Sequence, residues 1–443
     1  MAAVHFLSLG CDKNLTDSEA MLGLLQKAGH RFTDDPSEAD VIIVNTCSFI
    51  GDAKEESIRA ILDMAAYKEN GKCRALIAAG CLAERYQDQI LQELPELDAV
   101  LGTASYPHIT EAVEAVLGKT GAAPFACFED KNGLPLVRER ILTTGGHYAY
   151  LKIAEGCDKF CTYCAIPFVR GRYRSIPMEE LLLQARALAE KGVRELILVA
   201  QETTLYGTDL YGRKALPDLL KALEEIPGIE WIRLLYGYPE ELTEEMIDTI
   251  GASSKICHYL DLPIQHAADT VLARMGRHTD RREVTELIRR LRERIPDIAL
   301  RTTLIAGFPG ETEEEHQENL AFIREIGFDR LGVFCYSREE GTAAYKMPDQ
   351  VPKRTKERRR KEIMLAQQEI AFEKARAMKG RTLDVMVEGY LPEDGVYAGR
   401  SYRDAPEVDG LVFFADDRDL ESGRFVRVRV TEAREYDLVG EVL

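Results

Sequence analysis

Apolar and polar positions fall into alternating blocks along the chain. "VHFLSLG" (4–10) reads as a buried strand, and "DSEAMLGLLQKAGH" (17–30) follows with the spacing of an amphipathic helix. "ADVIIVNTC" predicts a second strand, "AKEESIRAILDMAAYKE" a second helix and "RALIAAGC" a third strand. Strands that alternate with helices imply a parallel sheet, whose ligands sit beyond the carboxyl ends of its strands. Between about 120 and 145 the helical period is lost among Gly, Pro and charges, which predicts a linker. A second series follows, with strands "YAYLKIAEG", "ELILVAQ", "WIRLLYGYP", "HYLDLPIQ", "ALRTTLIAGFP" and "RLGVFCYS". Helical patterns such as "MEELLLQARALAEKG" and "TEEEHQENLAFIREIGF" separate them. Six such units make an open partial barrel with its chemistry at the carboxyl ends of the strands. "KRTKERRRKEIMLAQQEIAFEKARAMKG" predicts a long surface helix whose basic run is a solvated face or a docking surface. From Arg381 short alternating strands ("TLDVMVEGY", "GVYAGRSY", "DGLVFFA", "RFVRVRVTEAREYDLVGEVL") predict a small antiparallel barrel, a form that binds oligonucleotides or protein loops. The predicted class is α/β: a parallel-sheet domain over 1–125, a linker over 126–142, an open (β/α)6 partial TIM barrel over 143–375 and a β-barrel over 376–443.

With 443 residues, 45% hydrophobic and 30% charged, the chain has the make-up of an ordinary globular protein of two to four domains. The apolar run in "MAAVHFLSLGCDKN" is too short for an export signal and lacks a basic flank, and no stretch approaches a membrane span. The expected location is the cytoplasm, with no membrane partner, where thiols stay reduced and serve as metal ligands or catalysts. The net charge of −18 argues against a backbone-gripping nucleic-acid binder and favours a basic protein as partner.

The cysteines change the picture most. "EGCDKFCTYCAIP" (155–167) carries Cys157, Cys161 and Cys164 with no fourth thiol nearby. A structural zinc site takes four ligands, usually from two pairs, and a disulfide framework suits a short secreted chain. What remains is an iron–sulfur cluster on three thiolates with one iron left open. Cys11, Cys47 and Cys81 each fall just after one of the first three strands. They are either a second convergent site or three small residues in turns. Cys73, Cys127, Cys257 and Cys335 are isolated and read as small buried hydrophobes.

The Cys-x-x-x-Cys-x-x-Cys spacing after the first strand of a partial barrel resembles the radical S-adenosylmethionine superfamily. The resemblance implies that the cofactor's methionine end binds the open iron. Reduction then releases a deoxyadenosyl radical that abstracts hydrogen. It also implies that Tyr163 packs near the adenine and that Gln201 and Glu202, in "VAQETT", meet the cofactor's amine. The family's glycines are missing there, and Glu202 stands for a more usual aspartate. "LIAGFPGE", with Gly307, Pro309 and Gly310, resembles the adenine-contacting segment, although a plain turn before a helix start explains most of it. "GCDKNLTDSE", "NTCSF" and "GCLAERY", ahead of such a barrel and a terminal β module, look like the methylthiotransferases over the whole length. That likeness implies two 4Fe-4S clusters, the second on Cys11, Cys47 and Cys81 as sulfur carrier or donor, and a terminal TRAM domain.

Two subclasses of that family compete. One thiomethylates an adenosine of transfer RNA; the other modifies the β-carbon of an aspartate in small-subunit ribosomal protein twelve. From Arg381 onward there are about fifteen acidic and eight basic residues, the wrong sign for an RNA-holding module. "QETTLYG", "LLYGYPE" and "LDLPIQHAADTVLARMGR" resemble the ribosomal-protein subclass. The implied partners are that protein and an electron donor such as flavodoxin or ferredoxin, with transfer RNA disfavoured. Tyr206, Tyr236 and Tyr238 either line the substrate mouth or pack, and Asp416, Asp417 and Asp419 are expected in an exposed turn. The competing non-enzymatic class is an iron–sulfur scaffold or RNA-binding adaptor.

Overall fold

Strands Arg31–Phe32, Ala3–Ser8, Val41–Thr46, Ala75–Gly80, Ala99–Leu101 and Phe125–Cys127 lie side by side in that order, every neighbouring pair parallel. The computed structural model describes residues 1–118 and 123–443, so residues 119–122, where the helical period was expected to begin to fail, lie outside the described residues. The two central strands, VIIVNT and ALIAAG, are buried throughout, because helices cover both faces of the sheet. Alternate residues face opposite ways. Val41 and Ile43 join Met21, Leu25 and Val113 on one side, while Ile42 and Val44 join Ile61 and Leu82 on the other. The first helix spans Asp12–Lys27, beginning earlier than the apolar pattern because Asn14, Thr16 and Asp17 in its first turns are polar and buried. Three strands of this sheet are only two or three residues long, too short to show a period. Residues 128–142 form no helix or strand, yet Arg140 and Thr143 bind the buried carboxylate of Glu19 at 2.6–3.0 Å. The chain divides into two units, and this sheet belongs to the unit Met1–Thr143, Lys152–Ile176 and Ser337–Tyr345.

The other unit is Thr144–Leu151, Pro177–Tyr336 and Lys346–Leu443. Its sheet takes six strands in chain order: Tyr148–Lys152, Glu195–Val199, Trp231–Leu234, Ile256–Asp261, Ala299–Ala306 and Arg330–Cys335. The pairings from Glu195–Val199 onward are parallel, as the alternating pattern predicts. The basic helix, Lys353–Arg376, is not wholly a surface element, since Arg359 is buried and binds Glu311. The terminal module is a closed five-stranded barrel in the order Thr382–Leu391, Val396–Ser401, Val412–Ala415, Asp437–Val442, Phe425–Arg434. Four of its pairings are antiparallel, and Val412–Ala415 closes on Asp437–Val442 in parallel. The last apolar run breaks into two strands at Glu435, whose φ of 54° makes the hairpin turn.

This module is clamped to the starts of the open-barrel strands. Glu195, first residue of its strand and fully buried, accepts from Arg233 and from Arg400 at 2.7 Å each. Arg400 also donates to Glu388 at 2.6 Å, and His147 meets the same carboxylate at 2.7 Å. Arg330 binds Asp404, Arg403 binds Asp329, and the Tyr259 hydroxyl donates to Asp409. Burial pushes the Glu195, Asp329 and Glu388 carboxyls up, but their cationic partners outweigh it and hold all three below the ordinary carboxylate range.

A carboxyl depressed in the fold stabilises it above its unfolded pKa, about 4, and that stabilisation is lost as pH falls through the folded value. Urea denaturation of the full chain should therefore show a midpoint that drops as pH is lowered below 5. Glu195→Ala, which leaves two buried guanidiniums short of an anion, should cost about 3–5 kcal/mol at pH 7.

Candidate functional site

The first strand, the third and the fourth in chain order deliver one thiol each to the same edge of the N-terminal sheet. Cys11 is the N-cap of Asp12–Lys27, Cys47 follows Val41–Thr46, and Cys81 opens the short helix after Ala75–Gly80. The loops are fixed by hydrogen bonds. The Cys47 N–H donates to Ser57 Oγ at 2.9 Å, Ser48 Oγ donates to the Cys81 carbonyl at 3.0 Å, and Thr46 Oγ1 to the Ala79 carbonyl at 2.6 Å. Asn14 spans two loops, its amide donating to the Leu9 and Thr46 carbonyls at 2.6 and 3.2 Å. Burial pushes the Cys47 thiol up and the Cys81 thiol up to about 12, Cys11 adding to the rise at both and Cys47 to that at Cys81.

Against Cys81 lies Arg170, only 2% exposed. Its guanidinium donates to Asp17 at 2.7 Å, Glu155 at 3.2 Å, Asn14 Oδ1 at 3.0 Å and Cys81 Sγ at 3.5 Å. Lys152 binds the same two carboxylates, Glu155 at 2.8 Å and Asp17 more closely. The sequence reading missed Asn14, Asp17, Lys152, Glu155 and Arg170. A signal existed: Cys11, Asn14 and Ser18 recur at helical spacing and, with Asp17, put a polar stripe on a helix otherwise buried by apolar residues.

The second trio follows Gly156. Cys157 and Cys161 are buried and Cys164 half-buried. The Cys157 N–H donates to the Gly171 carbonyl at 3.2 Å, Cys164 N–H to the Cys161 carbonyl at 2.9 Å, and Ile166 N–H to Cys164 Sγ at 3.5 Å. Burial, then the neighbouring Cys161 and Cys157, pushes the Cys164 thiol well up. Gly156 has a φ of +76°, and a Cβ there would overlap the Arg172 carbonyl. Phe160, just before Cys161, also has a positive φ of 48°. Tyr163 is half-buried between the thiols in sequence.

Among the described residues, His108, Cys127 and Glu129, and Glu313, His316 and Glu362, bring three ligand atoms within 4.8 Å of one another. Cys127 is thus not isolated as expected, although His108 is already engaged by Glu111 at 3.1 Å. Cys73 and Cys257 are buried, in keeping with a packing role.

In the other unit, the expected cofactor residues sit at strand ends. Gln201 is half-buried and Glu202 fully buried just after Glu195–Val199; the Glu202 carboxylate accepts from the Thr204 N–H at 2.8 Å and from its hydroxyl. Gly307 (φ +76°) follows Ala299–Ala306, and the space its Cβ would occupy is filled by the Lys356 side chain, so this glycine is required by the chain's own packing. Glu311 accepts from the N–H groups of Gly307 and Phe308 at 2.5 and 3.0 Å and is paired with Arg359 at 3.1 Å. That carboxylate, missed in the sequence, fixes the turn carrying Pro309, buried, and Gly310, half-buried. Tyr206 is fully buried and packs; Tyr236 and Tyr238 are half-buried, the latter under the Arg277 guanidinium at 4.2 Å.

Comparison with known proteins identifies the domains. Residues 3–102 match the uncharacterized protein family UPF0004, 151–323 the radical SAM superfamily and 380–443 the TRAM domain. The fold is shared with the radical S-adenosylmethionine methyltransferase TsrM from Kitasatospora setae, at TM-score 0.57 and 13% identity over 77% of this chain and 76% of that one. Fold and thiol trios together define a radical S-adenosylmethionine enzyme. The chain is 58% identical over 438 residues, 99% of each chain, to the ribosomal protein uS12 methylthiotransferase RimO of Lachnoclostridium phytofermentans. It is 50% identical to the RimO of Acetivibrio thermocellus over 99% of this chain and 98% of that one. The chain belongs to the RimO family of radical S-adenosylmethionine methylthiotransferases, whose cofactors are four-iron clusters and S-adenosylmethionine.

Gly156→Ala tests the local geometry without reference to any bound group. The added methyl must push Arg172 away and disturb the ribbon of Ala154–Glu155 with Arg174–Ser175. Amide exchange at Cys157 should rise at least tenfold with its bond to Gly171 weakened, as read by hydrogen–deuterium exchange.

Proposed function

We propose that this chain inserts sulfur at the β-carbon of an aspartate in small-subunit ribosomal protein uS12 and methylates it, with Cys157, Cys161 and Cys164 holding one cluster and Cys11, Cys47 and Cys81 the other. The observation carrying this reading is that Cys11, Cys47 and Cys81 arrive at one edge of the N-terminal sheet while Cys157, Cys161 and Cys164 share a separate loop after Gly156. Bound at the first cluster, S-adenosylmethionine supplies the carbon radical needed to break an unactivated C–H bond. The protein's own part is placement. Gly156 and the 157–171 hydrogen bond set the first thiol, and Ile166 N–H steadies Cys164. Glu202 and Thr204, with the Glu311-held turn at Gly307, Pro309 and Gly310, are assigned to the cofactor's amine and adenine; Tyr163 and Gln201 are assigned to it as well. A flavodoxin or ferredoxin supplies the electron, and the chain acts in the cytoplasm, where thiols stay reduced. No helix among the described residues is long and apolar enough to cross a membrane.

Replacing Cys157, Cys161 and Cys164 by alanine should leave about four irons per chain and abolish cleavage of S-adenosylmethionine. Replacing Cys11, Cys47 and Cys81 should spare deoxyadenosine formation and stop thiomethylation of uS12, read by mass spectrometry. Loss of all iron from the first variant in a folded chain, or undiminished product from the second, would defeat the assignment.

The acidic terminal module is assigned to a basic surface of uS12, not to transfer RNA. Of the three expected turn aspartates, Asp416 is instead committed to Arg418, accepting at 2.6 and 2.9 Å, and this pairing lowers its carboxyl to about 2. Asp417 and Asp419 are exposed. Binding of uS12 to the full chain should weaken with salt, since exposed charges are screened beyond about 8 Å. Asp417→Asn with Asp419→Asn should weaken it several-fold more. Tighter binding to transfer RNA than to uS12 would overturn this choice of substrate.

A further inference from the structure

Arg170 does more than fill a hole. Its four contacts reach both cysteine trios: Cys81 directly, the Cys11 and Cys47 loops through Asn14, and the Cys157 loop through Glu155. The carbonyl next to it in sequence, that of Gly171, accepts from the Cys157 N–H. Asp17 and Glu155 are shared with Lys152, so two cations and two anions balance one another. The nitrogen that meets Asn14 also directs an N–H at the Cys81 sulfur, at 3.5 Å. Arginine keeps its proton at any working pH, so this donor is permanent. Hydrogen bonds to cluster sulfurs favour the more negative, reduced state, and Arg170, Cys47 and Cys81 are buried.

We infer that Arg170 is a positioning residue that fixes the cluster of Cys11, Cys47 and Cys81 against the loop of Cys157, Cys161 and Cys164 and, through its N–H to the Cys81 sulfur, raises that cluster's reduction potential. This rests on the reading that Cys11, Cys47 and Cys81 hold a cluster.

The test uses the full chain carrying alanine at 157, 161 and 164, reconstituted with iron and sulfide, so that a single cluster is present. With arginine labelled by nitrogen-15, pulsed EPR of the reduced cluster should show one weakly coupled nitrogen, absent from Arg170→Lys. In Arg170→Met the reduced-to-oxidised ratio at fixed potential should fall at least tenfold, a shift of about 59 mV for one electron. Iron content and thermal unfolding accompany each sample. If Arg170→Met does not fold, the nitrogen coupling and the potential of Arg170→Lys decide. A retained cluster with no nitrogen coupling, and a potential unmoved in the substituted chains, overturns the inference while leaving the ligands intact. A folded parent chain that binds no iron overturns the ligand reading and the inference with it, and iron analysis tells these two failures apart.

Discussion

Two cations and two carboxylates meet around Arg170 almost out of reach of water, and the N-terminal unit has to be built around them. An ion stripped of its partner in such a place costs several kcal/mol. Asp17, on the first long helix, and Glu155, beside the cysteine loop, must therefore arrive at the same spot together with Lys152 and Arg170. Apolar side chains could fill the same volume, but they have no direction. Charged hydrogen bonds at 2.7–3.2 Å hold the helix behind Cys11 and the stretch around Cys157 in one register. The thiols inherit their placement from this knot.

The other unit divides its two ends differently. The starts of its strands are closed by paired charges, Glu195 between Arg233 and Arg400 being the most deeply buried. The far ends carry backbone in the left-handed region at Tyr236, Gln265 and Gly307. Such conformations persist where surroundings over-determine them. Here Asp261 accepts from the Tyr236 N–H, the Gln265 segment bridges to Leu304, and Glu311 binds behind Gly307. One end supplies rigidity, and the other spends some of it on shape.

Strand identity and the edge where the thiols gather were legible because parallel strands leave mainly apolar runs, three of which lead into Cys11, Cys47 and Cys81. Arg31–Phe32 and Phe125–Cys127 were not, being shorter than any period. The supporting residues were hidden by their chemistry. Asp17, Glu155 and Arg170 look like surface charges in a linear reading, and only partners distant in sequence make their burial possible. Gly307 is also demanded by the chain itself, since the Lys356 side chain occupies the place of a Cβ there. Asp416 was expected to be exposed, whereas it is half-buried and held by Arg418 two residues on. In each case the deciding contact is a side chain whose direction sequence spacing alone does not give.

The clamp on the strand starts also sets a length scale. The strand Ala299–Ala306 has eight residues, which at about 3.3 Å each makes about 26 Å from the end the terminal module covers to the end where barrel chemistry belongs. A molecule touching both ends must be at least that large. If the terminal module holds the substrate as proposed, a whole folded domain spans both ends, and a short peptide carrying the target residue and its immediate neighbours reaches only one.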